Sequence, residues 1–244
     1  MSKTLLLTLS MFTLVFTGCS KEPETVAREA PRPVSVGLNG DVFIVTRGGE
    51  NIKLGLVTVT AVPETAMLSY VQIRNALADN EHLRLRPQIN QARETLATAR
   101  AVENSANDAY ERTIQSGSST DEAWDKYKRA GERSRQQQAA LTSLLDADAY
   151  LDSPAFFFEN VPAGVCSAKT DADGKFGMAL PPGARVALVA RAQRQVMDKT
   201  EEYYWMVWVT PQQGQPTRVF LSNDNLLTVP STESVLLAVD RKRS

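Results

Sequence analysis

The chain changes character twice, and that change limits its fold more than any single motif. Strand-forming sequence over 37–63 gives way to residues 64–152, where Gly is nearly absent and apolar residues recur every three or four positions. Strand chemistry then resumes from 153 to 229. Regular alternation of strands and helices would predict a parallel sheet. One helical block between two strand blocks predicts helices inserted into an antiparallel sheet protein. The fold class is therefore α+β: an antiparallel β-sandwich interrupted by a long α-helical, coiled-coil hairpin.

Within the helical block, Pro87 is expected to break the first helix. After it, Ile89, Ala92, Leu96, Ala99, Val102, Ala106, Tyr110 and Thr113 run in threes and fours. Ser116-Gly117-Ser118-Ser119 stops that helix. Ser119 or Thr120 is placed to cap the next one, with Asp121 and Glu122 in its first turn, where the helix dipole favours acids. Trp124, Tyr127, Gly131, Ser134, Gln138, Leu141 and Leu145 continue the same spacing. Two helices joined by so short a loop pack antiparallel. Many seam positions are small or polar, so the pair is weakly stabilised by itself.

On the strand side, Val42 to Thr46 and Leu54 to Val62 read as strands about a turn at Arg47-Gly48-Gly49-Glu50-Asn51. Ala155-Phe156-Phe157-Phe158 reads as a return to strand. Asp171-Ala172-Asp173-Gly174 reads as a hairpin turn, with Phe176, Met178 and Leu180 on one face of the strand that follows. As a calcium loop it fails, because the outer ligand positions would fall on Lys169 and Leu180. Pro181-Pro182-Gly183 turns again into a buried strand over Val186 to Ala190. Glu202 to Thr210, EYYWMVWVT, is apolar on both faces: Tyr203, Trp205, Val207 and Val209 on one, Tyr204, Met206 and Trp208 on the other. A half-solvated strand would show polar residues on one side. Both faces need cover, and the helical block or a second protomer is expected to lie on the outer one. The alternative use of Tyr204 and Trp208 is an exposed platform for a ligand, such as a glycan, or for a partner. Val219 to Leu221 reads as a last strand, Asn223-Asp224-Asn225 as a turn, and 230–244 as a short helix and tail.

Thr170-Asp171-Ala172-Asp173-Gly174-Lys175-Phe176, followed by Leu180-Pro181-Pro182-Gly183 and an apolar strand, resembles the carboxypeptidase regulatory-like (transthyretin-like) β-sandwich. Gly40-Asp41-Val42 and Val57-Thr58-Val59 suit that family's two opening strands. The resemblance spans 37–63 and 155–192, and the helical insertion departs from it. It implies a small seven-stranded, noncatalytic sandwich used for binding or spacing, with no active site to carry over.

The N-terminus has a secretion pattern. Lys3 gives a positive start and Thr4 to Phe16 an apolar stretch too short to span a bilayer comfortably. Phe16-Thr17-Gly18-Cys19 resembles the bacterial lipobox, with Phe16 where Leu is usual. The resemblance implies that residues 1–18 are a lipoprotein signal peptide and that Cys19 is acylated. Residues 19–36, with Pro23, Pro31 and Pro33, read as a flexible tether. The expected location is the cell envelope, at the outer membrane and facing the periplasm. With Cys19 modified, Cys166 is left without an intrachain disulfide partner, and it reads as a buried, inert thiol.

Catalytic chemistry finds little to work with. A net charge of -1 provides no field for nucleic acid. The single histidine, His82, reads as a solvated or capping residue. Asp171, Asp173 and Glu201, the best acidic candidates for an enzyme, fit turns and loops. No catalytic residue, metal site or cofactor is assigned. The expected partners are the membrane, through the lipid on Cys19, and an envelope protein. The role is noncatalytic binding or scaffolding. The alternatives are a periplasmic transport accessory, which lacks its usual lipoyl-type half-motifs here, and a glycan-binding protein.

Overall fold

A computed structural model of the chain describes residues 35–214 and 217–227. The expected signal peptide, Cys19, nearly all of the tether and the expected helix over 230–244 lie outside the described residues. In chain order the strands are β1 (Val36–Val45), β2 (Asn51–Lys53), β3 (Thr58–Pro63), β4 (Cys166–Lys169), β5 (Lys175–Leu180), β6 (Val186–Val196), β7 (Lys199–Val209) and β8 (Thr217–Leu221). The helices α1 (Glu64–Gln115) and α2 (Asp121–Leu151) stand between β3 and β4.

The strands form two four-stranded sheets. In the first, β1 pairs antiparallel with β5 and β2, and parallel with β8. In the second, the order is β4-β3-β6-β7, antiparallel throughout. Alternating side chains of both sheets meet in one core, in which Leu38, Val42, Val59, Leu180, Leu188, Trp205 and Leu221 are fully buried. Trp205 also satisfies its only polar atom there, its Nε1 donating to the Ser222 carbonyl at 2.9 Å. Gly40 lies where Phe176 crosses β1. A Cβ there would stand 2.4 Å from the Phe176 ring, so the position excludes any side chain. The chain is thus an α+β protein, a β-sandwich interrupted by a helical hairpin. It has eight strands among the described residues, against the seven that the family resemblance implies.

The turn chemistry of Asp171–Gly174 is present: Asp171 Oδ1 accepts from the amides of Asp173 (2.9 Å) and Lys175 (2.8 Å), and Gly174 takes φ +74°. It does not make a hairpin, however. β4 belongs to the second sheet and β5 to the first, so this turn carries the chain across the sandwich. Pro181–Gly183 carries it back to β6. Thr170 anchors the crossing: its buried hydroxyl accepts from the Val57 amide (2.9 Å) and donates to the Leu54 carbonyl (2.8 Å).

Several local expectations are corrected. Pro87 does not break α1, which runs through it for 52 residues. Pro87 is exposed while Leu85 and Ile89 on either side are buried, so the hydrogen bond it removes is on the solvent side and packing holds the helix across it. Phe156–Phe158 is a 3-10 turn rather than a strand, because its rings are drawn into the gap between α1 and the second sheet. Neither Ser119 nor Thr120 caps α2 through its side chain. Cys166 is half-buried on the edge strand β4.

The outer face of the second sheet is covered by the helical block. Met67, Tyr70 and Val71 of the first turns of α1, with Phe156 and Phe157, pack on Val62, Ala187 and Val189, with Met206 and Trp208 at the margin. Trp205→Ala should therefore leave a large cavity and an unpaired Ser222 carbonyl. The expected loss is about 3–5 kcal/mol, read as a lower urea midpoint with far-UV helicity retained in the folded state.

Candidate functional site

The hairpin has a root and an arm, and the two are built differently. At the root, Arg74 of α1 is buried with its guanidinium 3.6 Å from the centroid of the Phe156 ring. Its Nη2 donates to the Phe156 carbonyl (2.5 Å) and to Glu159 Oε2 (2.8 Å). The Tyr70 hydroxyl lies 3.0 Å from the Phe157 carbonyl and 2.5 Å from that of Glu159, and Tyr150 donates to the Glu159 carboxylate. Those bonds from Tyr150 and then Arg74 hold the Glu159 carboxyl below its usual range, and burial raises the Tyr70 phenol. The cluster ties both helices to the 3-10 turn and so to the sandwich.

Further along the root, His82 Nδ1 lies 2.7 Å from Asp148 Oδ1 and Nε2 lies 3.3 Å from Asp152 Oδ1. His82 is thus neither a cap nor a free solvated side chain. It clips α1 to the end of α2. The hydrogen bond that His82 donates to Asp148 is the main cause that raises its pKa. Arg86 and Arg93 line the same shallow cleft of about 190 Å³.

The arm has almost no large buried side chains. Beyond Ala99 no residue of α1 is buried, and the seam is completed from α2 by Ala130, Gly131 and Ser134. Glu103 crosses Gly131, where a Cβ would stand 3.1 Å from Glu103 Oε1. Of the residues expected in the seam, Val102 is 52% exposed and Trp124 47% exposed. Near the tip, Tyr110, Trp124 and Tyr127 form an aromatic trio with centroids 5.3–6.3 Å apart, and Ile114 of the last turn of α1 is also exposed. Along one face of the arm runs an open groove of about 1100 Å³. Its lining includes Ala101, Ser105 and Ala109 on α1, and its α2 bank carries Lys126, Arg129 and Arg133.

The expected platform at Tyr204 and Trp208 is not presented as an open surface. Tyr204 is 6% exposed beneath Phe158, whose ring lies 4.9 Å away, and Trp208 is half-buried with the Arg185 guanidinium 4.6 Å above its ring. Burial, then the hydrogen bond to Glu202, pushes the Tyr204 phenol up to about 12. Exposed aromatic side chains lie instead at Tyr150, at Phe220 and at Trp124, the last of which sequence periodicity assigned to the seam. Among the described residues no group of three or more His, Cys, Asp and Glu is placed to hold a metal ion.

No family model matches the chain, and no curated protein is similar to it. A crystal structure of a proposed carbohydrate-binding protein from Pseudomonas aeruginosa is similar at 14% identity. The alignment covers 84% of this chain and 99% of that one, with a TM-score of 0.33. That likeness is too loose to carry a fold or a ligand from one chain to the other.

The His82 clip has a signed pH dependence. Its pKa is raised in the folded chain, so its stabilisation is complete below the ordinary histidine value of about 6.5 and is lost as pH rises through the raised value. The melting temperature should fall across that window, and His82→Gln should flatten the change. A wild-type profile no steeper than that of the variant would remove the clip from the account of the root.

Proposed function

We propose that this protein is a lipid-anchored lipoprotein of the cell envelope whose helical arm is a noncatalytic binding element. On this reading the sandwich is the carrier, of the carboxypeptidase regulatory-like kind. The observation that carries the proposal is the open groove of about 1100 Å³ that runs along the arm, with Val102 in its lining. Nearer the tip, Ile114 and Trp124 are exposed as well. An exposed aromatic side chain such as Trp124 is the kind of anchor from which interfaces draw much of their binding energy.

The anchor rests on the apolar stretch Thr4 to Phe16 and on Phe16-Thr17-Gly18-Cys19. Among the described residues no helix is long and apolar enough to cross a membrane, so attachment there has no transmembrane route through α1 or α2. Acyl chains on Cys19, each contributing about 0.8 kcal/mol per buried CH₂, would hold the protein to a bilayer. The tether would let the domain stand off it, with the arm available to an envelope protein. Such a partner includes the component of a transport assembly that an accessory role would require.

In-cell crosslinking tests both halves. Trp124→Ala should keep the helicity of the wild type and lose a specific crosslinked partner, at a cost of about 2 kcal/mol or more in affinity for a central aromatic anchor. Cys19→Ala should release the protein from the membrane fraction and abolish incorporation of labelled palmitate. An unchanged set of partners would refute the arm as the binding element, and unchanged palmitate incorporation would refute the anchor.

A further inference from the structure

We infer that two copies of the chain pair through the grooves of their arms, side by side and pointing the same way, to close a four-helix bundle. The inference deepens the reading of the arm as an interaction element and names one occupant of its groove, a second copy.

The argument begins with register. Arg100 Nη2 donates to Gln138 Oε1 at 2.7 Å, Glu103 crosses Gly131, and Tyr110 packs on Trp124. These contacts put Lys126 level with Asp108 and Ala109, and Glu122 level with Arg112 and Thr113. On α1 the small residues Ala101, Ser105 and Ala109 recur every fourth position along the groove. Asp108 and Arg112 lie outside the groove lining, each seven residues beyond a residue that lines it and so at the outer edge of the same face. A second open groove of about 440 Å³ shares Thr98, Val102 and Arg133 with the first and reaches Gln91 and Glu94. The 22 steps from Gln91 to Thr113 make the face about 33 Å long.

Two helices with a seam of Ala, Gly and Ser have little apolar area to hold them together, and bundles normally gain it by adding neighbours on the open face. A face about 33 Å long and two helices, about 20 Å, wide offers about 660 Å² per copy. Doubled, that is about 1,300 Å², within the range of specific interfaces.

Charge selects the arrangement. With a two-fold axis along the arm, α1 of one copy lies against α2 of the other, and every neighbouring pair of helices is antiparallel. Lys126 then meets the second copy's Asp108, and Glu122 meets its Arg112, and each contact occurs twice by symmetry. Glu122 and Lys126 already pair within one copy at 2.6 Å. The four side chains therefore form an alternating square. In the opposite orientation α2 would lie on α2, setting Lys126, Arg129 and Arg133 against the same three cations. That arrangement is repulsive.

The test uses the full chain in intact cells, in a Cys166→Ser background, with two co-expressed and differently tagged copies. Asp108→Cys in one and Lys126→Cys in the other should give a disulfide-linked dimer. Two Lys126→Cys copies should not. Sedimentation equilibrium of the detergent-extracted protein should show a dimer that Lys126→Glu weakens at least tenfold and that Lys126→Glu with Asp108→Lys restores. A monomer at every concentration, a preferred Lys126→Cys homodimer, or crosslinking of Lys126→Cys only to a different protein would each overturn the inference. A monomer whose Trp124→Ala variant still loses an envelope partner would refute the pairing and leave the binding arm standing. A dimer whose Trp124→Ala variant loses nothing would do the reverse.

Discussion

The second sheet has two apolar faces, and the rest of the chain is arranged to keep both from water. β6 is buried on both sides over Val186–Ala190, and β7 places Trp205 and Val207 inward with Tyr204 and Met206 outward. The inward face is met by the first sheet. The outward face is met by α1, which leaves β3 directly at Pro63 and lays Met67, Tyr70 and Val71 over the sheet within its first two turns. The helical block is thus part of the core at its base, and only farther out does it become an appendage.

Covering the sheet with a helix obliges the return of the chain from α2 to enter the same layer. Phe156 and Phe157 do so as a 3-10 turn, and a turn buried in this way leaves carbonyls that need donors. Arg74 and Tyr70 supply them. A guanidinium so deeply placed is costly unless it is paired and hydrogen-bonded, and here it has a ring face, a carbonyl and a carboxylate. Its Nε finds no partner within the described residues. The cluster holds both helices at the sandwich surface, and His82 closes them again where they leave it.

Stability is therefore graded along the hairpin. Leu85, Ile89, Leu96 and Leu141 make an ordinary apolar interface near the root, whereas the arm relies on Ala, Gly and Ser and on the aromatic trio at its tip. Segments with few buried apolar contacts open most readily, and binding surfaces are commonly drawn from them. That gradient is why the functional reading rests on the arm rather than on the sandwich.

What the sequence by itself determined was local. The three-four spacing marked two helices and the Ser-rich loop between them, alternation marked the inward face of β5, and the doubly apolar EYYWMVWVT stretch showed that both faces of one strand needed cover. Each of these is a short-range pattern, set by the period of the backbone. The tertiary structure alone decided which surface met which. Asp171–Gly174 has the residues of a hairpin turn and yet joins two sheets, because turn chemistry fixes a bend and not the sheet on either side of it. Val102 and Trp124 share the helical period but face outward at the arm, since a small-residue seam buries less width than the spacing suggests. Cys166–Lys169 is too short and too polar to signal a strand, and only pairing with β3 makes it one. His82 and Asp148 meet 66 residues apart, as do Arg74 and Glu159 at 85. No local pattern records such distances, because they exist only once the hairpin has folded back on itself.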